Sequence, residues 1–211
     1  MKLTVYLGAN EGNDPAFREA VRELGHWIGE SGNGLVYGGS KSGLMGELAR
    51  SVLEAGGTAI GVEPQFFIDA KVQYEGLTRL IVTRDMAERK AKMIELGDAF
   101  LAFPGGTGTL EEISEVMSRV AMGQLKAPCI LYDLNGYYSG LKVLLRHMVE
   151  TGLSDQSRLS GIHLQRISLR SAPFSKCPEC FCFQVKSSGP FKTRCFSFSA
   201  GDADTYRKQK K

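Results

Sequence analysis

Long hydrophobic runs are missing from this sequence, and that absence is the first constraint. No stretch approaches the ~20 apolar residues that a membrane-spanning helix needs. The opening "MKLTVYLGANEGNDP" holds only a short apolar strand before turn residues, too little for the core of a secretory leader. The chain therefore reads as cytoplasmic, with no membrane partner. Histidine is scarce at 3 residues, and His26 and His147 have neither a nucleophile nor a ligand partner at useful spacing. No role is assigned to them. Cysteine is almost absent before residue 152, where Cys129 sits alone in a strand-like run, as in a reduced protein with one buried thiol.

A strong charge of one sign is missing too. The net charge of +3 divides into 15 Lys+Arg against 19 Asp+Glu over residues 1–151, and 11 against 4 over residues 152–211. A mildly acidic body argues against a nucleic-acid partner.

What is present is an alternation. Short β-rich runs recur at "LTVYL" (3–7), "GLVY" (34–37), "TAIGV" (58–62), "LTRLIVT" (77–83), "AFLAF" (99–103) and "PCILYDL" (128–134). Helical period fills the gaps. Asp14 and Pro15 form a start signal before Phe17, Val21, Leu24 and Ile28. A second helix spans about Leu44 to Ala55. A third follows Asp85, with Met86, Met93 and Leu96 toward the core and Arg89, Lys90 and Lys92 elsewhere on its surface. A fourth starts at Thr109, and a fifth covers about Tyr137 to Glu150. Strands joined by crossover helices are parallel, and continuous apolar strands are covered on both faces. The pattern predicts an α/β, Rossmann-like, doubly wound parallel sheet with helices on both faces.

Three loops leading from strands are rich in glycine: "GANEGN" (8–13), "GGSKSGLMG" (38–46) and "PGGTGT" (104–109). Backbone amides unobstructed by a Cβ, ahead of a helix start, suit a phosphate. The NAD fingerprint lacks its third glycine, and Lys41 comes too early for a P-loop. Arg89 and Lys90, on a helix that follows a parallel strand, approach the same sheet edge as "PGGTGT", where a guanidinium suits an anion. Glu112 has two competing readings. Thr109-Leu110-Glu111-Glu112 matches a capping box, in which the carboxylate returns to backbone, and a carboxylate so bound is not free for a ligand.

With "LVYGGSKSGLMG" upstream and "LNGYYSGL" downstream, the paired stretches "RDMAERKAKM" and "DAFLAFPGGTGTLEE" resemble the LOG family, cytokinin riboside 5′-monophosphate phosphoribohydrolases often labelled lysine decarboxylases. The likeness runs from about Met1 to Leu159. It implies a homodimer that splits a cytokinin riboside 5′-monophosphate, or AMP, into free base and ribose 5-phosphate, with no metal or organic cofactor. Arg89 and Glu112 would be the catalytic pair. Gly8, Asn10, Gly39, Ser40, Lys90, Gly105, Gly106, Thr107, Gly108, Thr109 and Ser118 would bind substrate. On this reading Thr109 caps its helix alone, Glu112 faces the ribose, and Glu111 faces solvent as a bystander.

Two departures concern base preference. Ala87 stands where the family commonly has a histidine, and Ser40 where plant-like members have a third glycine. Amino-acid decarboxylation is excluded on chemistry, because nothing supplies a Schiff-base lysine with an acidic partner for an electron sink. The alternative is a nucleotide- or cofactor-binding carrier of the same fold, which has no need of an Arg89–Glu112 pair.

Residues 1–160 thus form the Rossmann-like domain. The remainder, 161–211, has no sustained period and is rich in Ser, Phe, Cys and basic residues. Cys177, Cys180, Cys182 and Cys195 allow a zinc site only with poor spacing. A disordered extension, or a shifted reading frame near His163, accounts better for such a composition.

Overall fold

The protein is described by a computed structural model covering residues 1–164, with the backbone of 165, 167–168, 181–183 and 194–198. The zinc reading rests on the side chains of the four tail cysteines, which lie outside the described residues, as does most of the stretch on which the extension and frame-shift readings fall.

Strands β1 (Lys2–Tyr6), β2 (Gly34–Tyr37), β3 (Thr58–Pro64), β4 (Arg79–Thr83), β5 (Ala99–Ala102), β6 (Cys129–Tyr132) and β7 (Ile162–Gln165) form one sheet in the order β4-β3-β2-β1-β5-β6-β7. Every pairing in it is parallel. Helices α1 (Pro15–Glu30), α2 (Gly43–Glu54), α4 (Met86–Leu96), α5 (Thr107–Ala121) and α6 (Ser139–Glu150) connect the strands, and a short α3 (Gln65–Asp69) follows β3. This is the Rossmann-like α/β arrangement the alternation predicts. β7 and α3 have no counterpart in the sequence reading.

The period of two along each strand divides the core into two layers. Leu3, Val5 and Leu7 pack with Leu24, Ile28, Leu48 and Val52 of α1 and α2. Tyr6, Val36, Phe100 and Leu131 pack with Met93, Ile113 and Val116 of α4 and α5. Local capping fixes where the helices begin. Asp14 accepts the Ala16 N–H at 2.9 Å ahead of Pro15, and Asp85 accepts the Glu88 N–H at 2.8 Å ahead of α4. No helix among the described residues is long and apolar enough to cross a membrane.

Candidate active site

From β1 the chain steps outward through β2, β3 and β4, then crosses back to β5 on the other side of β1. That reversal opens a crevice outside the carboxyl ends of β1 and β5, the usual ligand position in such sheets. A cavity of about 550 Å³ lies there, lined by Gly8 and Asn10 after β1, by Gly105, Gly106, Thr107, Gly108 and Thr109 after β5, and by Arg89 and Glu112.

The turn after β5 is shaped by its glycines. A methyl group on Gly105 would stand 2.2 Å from Thr109 Oγ1 and 2.9 Å from Gly8 N, so the two turns touch and leave no room for a side chain. At Gly106 and Gly108 an added Cβ would meet nothing within 4 Å. Gly106 is extended and its carbonyl accepts the first helical bond, from Leu110 N–H at 3.1 Å. The amides of Thr107, Gly108 and Thr109 therefore have no acceptor inside α5, and they stand at the positive end of its dipole.

This corrects the capping reading. α5 starts at Thr107, so Thr109 and Glu112 lie inside the first and second turns rather than at the cap and third position. Neither residue can perform the capping-box exchange. Thr109 is buried against Gly105, and the N-cap residue, Gly106, has no side chain.

Arg89 is also differently placed. The sequence places it on the helix surface outside the core-facing set, approaching the sheet edge, yet it is 5% exposed. Its Nε donates to the Val62 carbonyl at 3.0 Å and its Nη1 to Glu112 Oε1 at 2.6 Å. Met86, expected in the core, is 37% exposed at the cavity wall. α4 thus buries its cation, satisfied by a carbonyl and a carboxylate, together with Met93 and Ile94. Glu112 is 6% exposed. Burial raises its pKa, against the pull of the Arg89 charge and hydrogen bond.

The other expected site residues divide. Lys90 pairs with Glu111 and, at 3.4 Å, with Glu115 on α5, and it is not part of the cavity wall. Glu111 is thus a partner of Lys90 rather than a bystander. Gly39 (φ +86°) packs on Glu63, and Ser40 bridges to Gln73 and accepts the Ser42 N–H at 3.1 Å. Neither lines the cavity. Ser118 lines a separate apolar cavity of about 520 Å³ between α5 and α6.

Sequence reasoning missed the apolar side of the cavity, formed by Phe17, Leu44, Met45, Phe67, Met86 and Tyr137. Tyr137 donates its hydroxyl to the Gly105 carbonyl and packs edge-on against Phe17 at 6.1 Å. Its place in "LNGYYSGL" was the available signal. No group of three metal-ligating side chains occurs among the described residues.

A family model described as possible lysine decarboxylase matches residues 45–167, the span that holds both Arg89 and Glu112. A cytokinin riboside 5′-monophosphate phosphoribohydrolase of Rhodococcoides fascians is 42% identical over 151 residues, covering 71% of this chain and 76% of that protein. The chain belongs to the LOG family. A second LOG-family relative, the enzyme of the same name from Arabidopsis thaliana, is 35% identical over 151 residues, covering 72% of this chain and 70% of its own length. Among solved structures, the molybdenum cofactor binding protein of Rippkaea orientalis has a TM-score of 0.57 at 21% identity, covering 78% of this chain and 88% of that one. At that identity the likeness is one of fold alone.

Proposed function

We propose that this LOG-family protein hydrolyses the N-glycosidic bond of a nucleoside 5′-monophosphate, a cytokinin riboside 5′-monophosphate or AMP, to free base and ribose 5-phosphate. The observation that carries the reading is the buried Arg89–Glu112 pair, 2.6 Å apart, in the same cavity as the open amides of α5. The names of the relatives point the same way.

The step breaks the C1′–N bond, with its electron pair leaving on the base, and forms a bond from a water oxygen to C1′. The sugar passes through an oxocarbenium-like state, which the Glu112 carboxylate stabilises while accepting the proton of the attacking water. Arg89 holds that carboxylate and supplies positive charge near a base that gathers negative charge as it departs and then takes up a proton. Thr107, Gly108 and Thr109 amides bind the 5′-phosphate at the start of α5. The apolar wall of Phe17, Met45, Phe67 and Met86 receives the base.

The pair also favours hydrolysis over a carrier role, since a carrier has no need to bury an arginine against a glutamate. Decarboxylation finds no support in the cavity wall, which contains no lysine among the described residues. We further propose a homodimer formed through α6. This helix buries no residue fully, and Val143 and Leu144 on it, with Met122 lining the same cavity as Leu144, are 64%, 48% and 58% exposed.

The test is incubation of purified protein with AMP and with isopentenyladenosine 5′-monophosphate, followed by chromatography of free base and ribose 5-phosphate. Release that disappears in Glu112→Gln, with the fold intact, supports the proposal. Absence of release from any nucleoside 5′-monophosphate refutes it.

A further inference from the structure

One buried carboxylate takes no part in the chemistry above. Glu63, near the end of β3, is fully buried, and neither side-chain oxygen has a hydrogen-bond partner among the described residues. The carbonyl of its neighbour Val62 holds Arg89 Nε at 3.0 Å. The loop after β2 covers both groups. A methyl group on Gly38 would stand 2.5 Å from Arg89 Nη2, and one on Gly39 2.5 Å from Glu63 Cγ. That loop is strapped in turn, with Tyr74 N–H donating to the Gly39 carbonyl at 2.9 Å and Lys41 N–H to the Val72 carbonyl at 2.9 Å.

The pocket beneath this glycine pair therefore holds two carboxyl groups and one guanidinium. Glu112 has the direct contact with Arg89, and Glu63 feels that charge only through space. Among the described residues Tyr37 of β2 also faces Glu63, and it is itself neighboured by Tyr74 of the strap. Neither phenol supplies positive charge. A buried carboxylate with no donor and no counter-ion of its own binds a proton instead.

We propose that Glu63 is a positioning residue of the Arg89–Glu112 site, a proton-holding carboxyl coupled through Arg89 so that binding of a nucleotide 5′-monophosphate protonates Glu63 from solvent. The ligand named here rests on the function proposed above. Burial pushes the Glu63 carboxyl up to about 7 against the opposing pull of Arg89. An anion beside Arg89 offsets that pull, and the proton is then held more tightly. By reciprocity, nucleotide affinity falls as pH rises through neutrality.

Two measurements on the full chain test this. The first compares KM for AMP in wild type and Glu63→Gln from pH 6 to pH 9. Titration of the AMP phosphate is common to both proteins and cancels in the ratio. The ratio of wild-type to variant KM should rise several-fold with pH, with kcat changing little; a flat ratio overturns the coupling. The second needs no ligand. A carboxyl raised in the folded state contributes stability that is present at acid pH and lost as pH rises toward 7. The melting temperatures of Glu63→Gln and Glu63→Leu, relative to wild type, should therefore climb from pH 5 to pH 8; a constant difference in both variants removes the proton from Glu63. If wild type does not turn over AMP, the proposed function and the nucleotide coupling fall together, and the ligand-free measurement still decides whether Glu63 holds the proton.

Discussion

Arg89 and Glu112 lie 23 positions apart in the chain and 2.6 Å apart in space, on two helices that reach the sheet edge from different crossovers. Each is buried, and among the described residues neither makes a second ion pair, so each depends chiefly on the other for neutralisation. The asymmetry of removing one or the other follows directly. Glu112→Gln keeps an acceptor for the guanidinium, while Arg89→Ala leaves a buried carboxylate alone. Removing one partner of a buried pair costs about 3–5 kcal/mol. Urea denaturation should show a loss of that order for Arg89→Ala and a clearly smaller one for Glu112→Gln. Equal losses would mean that the pair does not stabilise as its geometry implies.

Activity should separate from stability in the same variants. Glu112→Gln should lower kcat for base release by at least about 100-fold, the range associated with a positioned acid–base group. Circular dichroism should stay that of wild type. Retained turnover would return Glu112 to a structural role.

The pH profile gives an independent check. Burial raises the Glu112 carboxyl, and its proposed role requires the ionised form. Activity should be present at the alkaline side and fall on acidification along a limb displaced above the ordinary glutamate range. A limb at the ordinary carboxylate value in kcat against pH would show that the essential group is not so buried.

The glycines of the α5 turn predict two different phenotypes. Gly105→Ala forces a methyl group to within 2.2 Å of Thr109 Oγ1, and overpacking of this kind typically costs about 1–3 kcal/mol. Gly106→Ala and Gly108→Ala meet no protein atom within 4 Å and should fold as wild type. If phosphate occupies that space, their KM for AMP should rise, by about tenfold for a loss near 1.4 kcal/mol. An unchanged KM would put the phosphate elsewhere.

Val143→Glu combined with Leu144→Glu should convert the protein to a monomer in light scattering after gel filtration, because charges cannot be buried unpaired at an apolar contact. A wild type that is already monomeric at micromolar concentration would remove the dimer proposal.

The strands and most helices were legible because each carries a local signal: β-branched runs between turn residues, and caps at Asp14 and Asp85. The start of α5 was not. "PGGTGT" has the composition of a loop, and only the extended Gly106 places its last three residues in the helix. The short "QFFID" of α3 spans about one turn, too little to show a period, and β7 has no apolar run of its own, depending on pairing with β6. That Arg89 and the glycine turn reach one edge could be read from topology. That Arg89 is buried could not, since an adjacent Arg-Lys on a helix looks the same whether a carbonyl and a carboxylate await it or water does. The links from Lys90 to α5 and from Tyr137 to Gly105 are equally invisible, being long-range and set by tertiary contact.

The amides at the head of α5 belong to the backbone, and substitution of neighbouring side chains does not alter their number or polarity. The apolar wall of Phe17, Met45, Phe67 and Met86 is made of side chains alone, contributed by separate elements. If those amides hold the phosphate as proposed, the cavity is in this sense modular: a grip fixed by the backbone beside a replaceable lining. Mutational drift in the lining can retune which ligand is preferred while the grip and the buried pair stay untouched, so related chains can diverge in preference without first losing competence.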